Sequence, residues 1–140
     1  MAEMMVDSNV LLDVLTEDPA WCAWSSSRLE EFAEQYQLVI NPIVYAEISI
    51  GFERIEDLDE AVPESLVERR AIPWEAAFLA GKCFLRYRRH GGRRSSPLPD
   101  FFIGAHAAVL SMPLLTRDQG RYRKYFPQLK IISPSRARHR

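Results

Sequence analysis

Four acidic residues occupy positions in the sequence where an apolar element begins, continues or ends. Asp7 and Asp118 each follow a short apolar run. Asp100 opens a long apolar stretch, and Glu47 lies inside another. Buried carboxylates are costly unless they meet a cation. That cation is either an arginine of the chain or a hard divalent metal, which prefers carboxylate and water oxygens and also binds phosphates.

The sequence contains no obvious alternative to metal-assisted chemistry. It has no GxSxG motif, no cysteine with an obvious histidine partner and no Walker loop. Two divalent ions roughly 3.5–4 Å apart can stabilise both the attacking and the leaving oxygens of phosphodiester cleavage. The four acids therefore predict a metal site that cuts a polyanion.

The two halves of the chain differ sharply in charge, although the net charge of the whole is −1. Residues 1–85 hold 17 acids and 5 basic residues, whereas residues 86–140 hold 2 acids and 13 basic residues. A basic surface concentrates phosphates. The basic half is either a solvated face or a source of phosphate contacts, and the acids beside it favour the second interpretation. The candidates for such contacts are Arg86, Arg89, Arg93, Arg94, Arg117 and Arg121.

Composition is typical of one globular domain. The chain has 140 residues, of which 47% are hydrophobic and 26% charged. We expect a single domain over residues 1–134 and a flexible basic tail over 135–140. Cys22 and Cys83 are expected to be free thiols, and neither a signal peptide nor a membrane span is evident. We therefore expect a cytoplasmic protein with no membrane partner.

Short apolar runs alternate with helical patterns along the chain. Such alternation predicts an α/β fold, with a parallel sheet of about four to five short strands flanked by helices. Ligands of such folds bind beyond the carboxyl ends of the strands, where Asp7 and Asp118 would lie. We expect strands at 4–6, 38–40, 71–72, 114–115 and 130–132, and helices at 10–14, 20–36, 43–54, 56–69, 74–89, 101–110 and 121–126.

Each acid also has a local explanation that needs no metal. Asp7 and Asp118 could be turn or cap residues, and Glu47 could be a solvated helix residue. Asp100 could be a helix N-terminal acid that the helix dipole favours. Their combination and order are far more specific than any one of them.

That order resembles the PIN-domain ribonucleases, and most closely the VapC-type toxins of bacterial toxin–antitoxin pairs. The resemblance spans almost the whole chain, although each motif is short. The matching segments are MMVDSNVLLDVL at 4–15, VYAEISIGF at 44–52, LPDFFIGAHAAVL at 98–110, LLTRDQGRYRKYFP at 114–127 and LKIISP at 129–134.

The resemblance implies a three-layer fold and an acidic pocket in which Mg²⁺ or Mn²⁺ binds directly or through water. The metal, helped by one acid, would activate a water to attack an RNA phosphate. An antitoxin that silences the site and a homodimer are also implied. The implied catalytic and metal-binding residues are Asp7, Glu47, Asp100 and Asp118, and the supporting residues are Ser8, Asn9 and Thr116.

Two other functions remain open from the residues alone. One is a non-catalytic RNA- or protein-binding module in which the acids are structural. The other is a phosphatase with Asp7 as nucleophile, which is disfavoured because such chemistry usually uses a second aspartate where this chain has Asn9. We further expect Asp13 to be solvated and His106 to pack beside the core.

Overall fold

Five short parallel strands form one sheet in a computed structural model that describes residues 1–94 and 98–134. The strand order is β3-β2-β1-β4-β5. The tail predicted at 135–140 lies outside the described residues. The strands are β1 (Glu3–Val6), β2 (Gln37–Ile40), β3 (Glu68–Arg69), β4 (Leu114–Leu115) and β5 (Ile131–Ile132).

Helices connect and cover the strands, giving the predicted three-layer α/β architecture. None of the helices in the described part of the chain is long and apolar enough to cross a membrane. They are α1 (Ser8–Leu15), α2 (Cys22–Ala33), α3 (Pro42–Ser49), α4 (Ile55–Ala61), α5 (Trp74–Arg89), α6 (Pro99–Val109) and α7 (Gly120–Tyr125).

β1 lies in the middle of the sheet and is buried on both faces. Met4, Met5 and Val6 have no exposed surface, as expected for a central parallel strand covered by helices on both sides. The chain adds β2 and β3 on one side of β1, then crosses to add β4 and β5 on the other. This reversal places the topological switch point, where such folds bind ligands, between β1 and β4.

The register of β1 and β4 brings the first predicted acid to that switch point. Val6 pairs with Leu115, and the backbone N–H of Asp7 donates to the carbonyl of Leu115 at 2.9 Å. The residues that follow the two strands, Asp7 and Thr116, are therefore neighbours.

Side chains at the strand ends also start the helices that follow. Asp7 is the N-cap of α1 and accepts from the backbone N–H of Ser8. Asn41 caps α3 through two backbone N–H groups, with Pro42 at the first helical position. The sequence allowed Asp7 to be a cap residue, and it has that role in the structure.

The region between α3 and α5 differs most from the sequence prediction. The helix expected over 56–69 ends at Ala61, and the strand expected at 71–72 lies instead at Glu68–Arg69. Pro63 explains the early end of α4, because a proline disfavours helical backbone at the residue before it. β3 then pairs with the end of β2, Glu68 opposite Val39 and Arg69 opposite Ile40.

Candidate active site

Asp7 is the most buried of the four predicted acids. It is 4% exposed, and three donors hold its carboxylate. The backbone N–H of Ser8 donates to Oδ1 at 2.8 Å. The hydroxyls of Thr116 and Tyr122 donate to Oδ2 at 2.8 and 2.9 Å.

Glu47 reaches the same place from α3 through a serine. The Ser8 hydroxyl donates to Glu47 Oε1 at 2.8 Å. The backbone N–H of Ser8 donates to Asp7, so Ser8 links the two acids. Glu47 is thus partly buried and hydrogen-bonded beside Asp7, instead of being a fully solvated helix residue.

Asp100 approaches from the first turn of α6. Its Oδ1 lies 3.4 Å from the Tyr122 hydroxyl, and its Oδ2 lies 3.2 Å from Arg121 Nη1. The carboxylate is 35% exposed, so it lies at the mouth of the site. α7 therefore places two polar side chains beside this acid.

Asp118 joins the cluster through Thr116 instead of touching the other acids. Its backbone N–H donates to Thr116 Oγ1 at 3.1 Å, and Thr116 in turn donates to Asp7. Its carboxylate accepts from the N–H of Gly120 at the start of α7. Asn9 completes this corner, since its amide donates to Thr116 Oγ1 at 3.3 Å.

Asp100 and Asp118 line one cavity of about 310 Å³. The other side chains around it are basic or aromatic, among them Arg121, Lys124 and Tyr87. Two acidic side chains and a basic, aromatic wall therefore share one opening.

The acids of this cluster repel one another and are only partly neutralised. Burial, opposed by the Thr116 and Tyr122 hydrogen bonds and assisted by the charge of Asp100, raises the pKa of Asp7 from 3.8 to about 6. Burial and Asp100 also raise the pKa of Glu47. Burial, followed by the charges of Asp7 and Asp100, raises the pKa of the Tyr122 hydroxyl well above its ordinary value, so it stays a donor at neutral pH.

The chemistry of these donors fits a hard divalent cation, but their spacing does not form a complete ligand cage. Within residues 1–94 and 98–134, no three His, Cys, Asp or Glu side chains are grouped so as to hold a metal ion. Mg²⁺ usually keeps several waters and binds through one or two carboxylates plus substrate phosphates. The arrangement fits that mode, with Asp7 oriented by three hydrogen bonds and Asp100 and Glu47 beside it.

The sequence pattern of one known family covers nearly all of this site. The family described as PIN domain matches residues 4–127. This chain belongs to the PIN domain family. No curated protein sequence matches the chain.

Solved structures share the PIN fold with this chain at low sequence identity. VapBC2 from Rickettsia felis bound to a promoter DNA fragment matches with a TM-score of 0.73 and 19% identity, over 95% of this chain and 99% of that one. DNA-bound VapBC from Salmonella typhimurium matches with a TM-score of 0.70 and 20% identity, over 95% and 98%. A toxin–antitoxin complex from Klebsiella pneumoniae matches with a TM-score of 0.63 and 20% identity, over 94% and 98%.

The predicted phosphate-binding arginines of this PIN domain fall into two groups. Arg86 and Arg89 on α5, with Arg93 and Arg94 after it, are exposed, and Arg86 lies 5.4 Å from the Tyr125 ring centre. The remaining two are engaged with acids, Arg121 with Asp100 and Arg117 with Asp13.

Asp13 was expected to be solvated, and that expectation is wrong. It is 2% exposed, and the guanidinium of Arg117 donates to both of its oxygens at 2.9 Å. The Ser25 hydroxyl adds a third bond at 2.8 Å. Arg117 is thus held in a structural ion pair, whereas His106 packs in the core as predicted.

One contact beside these acids was missed by the sequence reasoning. Tyr122 puts its hydroxyl between Asp7 and Asp100. Its position four residues after Asp118, on a helix that starts at the site, is the signal that could have identified it. Lys124, which lines the cavity with Asp100 and Asp118, belongs to the basic half from which the sequence already predicted phosphate contacts.

Proposed function

We propose that this PIN domain is a metal-dependent endoribonuclease that acts as the toxin of a toxin–antitoxin pair. The observation that carries the proposal is the cluster of Asp7, Glu47 and Asp100 at the switch point of the sheet, beside a basic and aromatic cavity wall. The family membership and the likeness to a toxin–antitoxin complex support it.

Asp7 and Asp100 are the residues proposed to hold Mg²⁺, or Mn²⁺, directly, while Glu47 and Asp118 act directly or through water. A bound divalent ion would lower the pKa of a water and stabilise negative charge on the RNA phosphate. The chain's own part is to keep Asp7 ionised and oriented through Thr116 and Tyr122. Asn9 supports that orientation by its bond to Thr116.

The basic wall is proposed to bind RNA through its phosphates. Arg86, Arg93 and Lys124 are exposed, and Lys124 lines the cavity with Asp100 and Asp118. Phosphate contacts position a nucleic acid without reading its sequence. Arg89, Arg94 and Arg121 extend the same surface in the proposal. Arg117 contributes indirectly, because its pairing with Asp13 fixes the segment that carries Thr116 and Asp118.

The proposed partners are an antitoxin protein and a second copy of the chain. The similar solved structures include a toxin–antitoxin complex, which supports the first. Exposed apolar residues on α5, Trp74 at 88% and Phe78 at 68%, support a contact with another protein surface. A toxin that cleaves cellular RNA would act in the cytoplasm, which is the proposed location.

Expression in a bacterial host tests toxin and nuclease roles together. We expect wild-type protein to arrest growth and a co-encoded neighbouring small protein to relieve the arrest. Asp7→Asn protein, expressed to the same level, should leave growth unaffected. Equal arrest by Asp7→Asn would contradict a role for the acidic site, and a binding module with structural acids would then be favoured.

A further inference from the structure

Tyr122 is the buried side chain that joins two of the carboxylates. It is 2% exposed, and its hydroxyl lies 2.9 Å from Asp7 Oδ2 and 3.4 Å from Asp100 Oδ1. Because one hydroxyl has one hydrogen, the shorter contact to Asp7 is the principal bond. The longer distance leaves Asp100 close but less tightly held.

The hydrogen bonds to Asp7 determine which of its oxygens remains available. A carboxylate offers about four lone-pair positions. Thr116 and Tyr122 both donate to Oδ2, whereas Ser8 alone donates to Oδ1. Among the described residues, Oδ1 is therefore the oxygen with spare capacity to bind a cation.

A second tyrosine on α7 shows that ring packing alone does not explain Tyr122. Tyr125 is also buried, and its ring packs edge-on against Phe101 at 5.0 Å. Within the described part of the chain, no hydrogen bond from its hydroxyl to an acid is found. Tyr122 thus differs from Tyr125 because its hydroxyl donates to a carboxylate.

We propose that Tyr122 is a positioning residue for the metal-binding carboxylates, whose hydroxyl holds Asp7 Oδ2 so that Oδ1 faces the cation. This inference rests on the proposed function. Residues that orient metal ligands by hydrogen bonds, without binding the metal themselves, typically contribute 10- to 100-fold to metal affinity. Tyr122 would act at that level without touching metal or RNA.

Mn²⁺ binding to the purified full-length chain tests this role. The signal of free Mn²⁺ in electron paramagnetic resonance gives the Kd of wild type, Tyr122→Phe and the matched control Tyr125→Phe. We expect Tyr122→Phe to weaken binding by about 10-fold or more, with Tyr125→Phe unchanged. RNA cleavage by Tyr122→Phe should need correspondingly more Mn²⁺ but recover at saturation, which a general folding defect would not allow.

A measurement on wild-type protein covers the case in which Tyr122→Phe fails to fold. Mg²⁺ should shift the phenolic carbon resonance of Tyr122 more than that of Tyr125. An equal shift, or an unchanged Kd in folded Tyr122→Phe, would overturn the inference and leave the proposed function standing. Wild-type protein that binds no Mn²⁺ would contradict both.

Discussion

Asp13 in α1 and Asp7 at the N-cap of α1 are both buried, but the charges around them differ. Asp13 faces the guanidinium of Arg117, whereas Asp7 faces two hydroxyls, a backbone N–H and the like charge of Asp100. An ionised Asp13 is therefore neutralised by the fold. An ionised Asp7 is held at a cost to stability, which is typical of a group kept for function.

Substitution of each aspartate by asparagine should change stability in opposite directions. A rise in the pKa of Asp7 from 3.8 to about 6 corresponds to a cost of about 3 kcal/mol for the ionised form. We expect Asp7→Asn, in EDTA at pH 7, to raise the free energy of unfolding by about 1–3 kcal/mol. Asp13→Asn should lower it by about 1–3 kcal/mol, a range reduced because Arg117 is partly exposed.

The effect of Asp7→Asn should also depend on pH in a defined direction. The folded state holds the Asp7 proton more tightly than the unfolded state, so the cost develops as pH rises from about 4 to 6. Urea unfolding at pH 4 and pH 7 measures it. A stabilisation equally large at both pH values would contradict the electrostatic explanation.

His106 should make the fold sensitive to mild acid. Its Nδ1 lies 3.2 Å from the Asn41 amide, its Nε2 is buried without a hydrogen-bond partner in the described structure, and burial lowers its pKa. The unfolded state then takes up the proton more readily, so stability is lost as pH falls below about 6.5. His106→Asn should remove this loss, which is at most about 1.4 kcal/mol per pH unit. Urea unfolding measures the free energy of unfolding of both proteins as a function of pH. The same slope against pH in both would contradict this role of His106.

Helices α6 and α7 must approach closely for the site to form, since they carry Asp100 and Tyr122 respectively. Gly104 of α6 makes this approach possible. A Cβ atom there would lie 2.4 Å from the ring of Phe126, the C-cap residue that follows α7. The contact is too short for any side chain, so the Phe126 ring or the helices themselves would have to move.

Alanine at Gly104 should therefore destabilise the fold and disturb the site. We expect a loss of about 1–3 kcal/mol in the free energy of unfolding. Gly81 is the matched control, because it lies inside α5 with nothing within 4 Å of an added Cβ. Gly81→Ala should stabilise the protein by about 0.5–1 kcal/mol. Thermal unfolding that ranks the two variants in the reverse order would contradict this packing.

The basic wall formed by α7, the end of α5 and the residues that follow α5 should bind RNA through charge. Lys124 and Arg93 line adjoining cavities with Tyr87 and Tyr125. Alanine at either position should weaken RNA binding uniformly across sequences and reduce the slope of log affinity against log salt by about one. Arg54→Ala, which removes an exposed arginine paired with Glu56, is the control and should leave the slope unchanged.

The sequence predicted well those elements whose signals are local. α5 and β4 have the predicted bounds because Pro73 precedes the first helical residue and Gly91 and Gly92 follow the helix, while Leu114 and Leu115 lie between clear breaks. β3 was misplaced because Glu68 and Arg69 carry no apolar pattern. They form a strand only because they pair with the edge of β2.

At the scale of the whole molecule, the sequence likewise predicted some features of the candidate site and missed others. The order of the four acids was visible in the sequence, and the register of β1 with β4 explains why Asp7 and Thr116 meet. The Asp13–Arg117 pair and the Tyr122 bridge depend on contacts between residues more than 100 positions apart. Such contacts are set by the fold and leave no local pattern.

Cleavage of a labelled RNA by the purified full-length chain is the most direct test of the central claim that these acids form a metal-dependent nuclease site. Wild-type protein should cut RNA with Mg²⁺ or Mn²⁺, stop in EDTA and resume when metal is restored. Asp7→Asn protein, folded by circular dichroism, should not cut. Equal cleavage by wild-type protein in EDTA, or by Asp7→Asn with metal, would contradict the account.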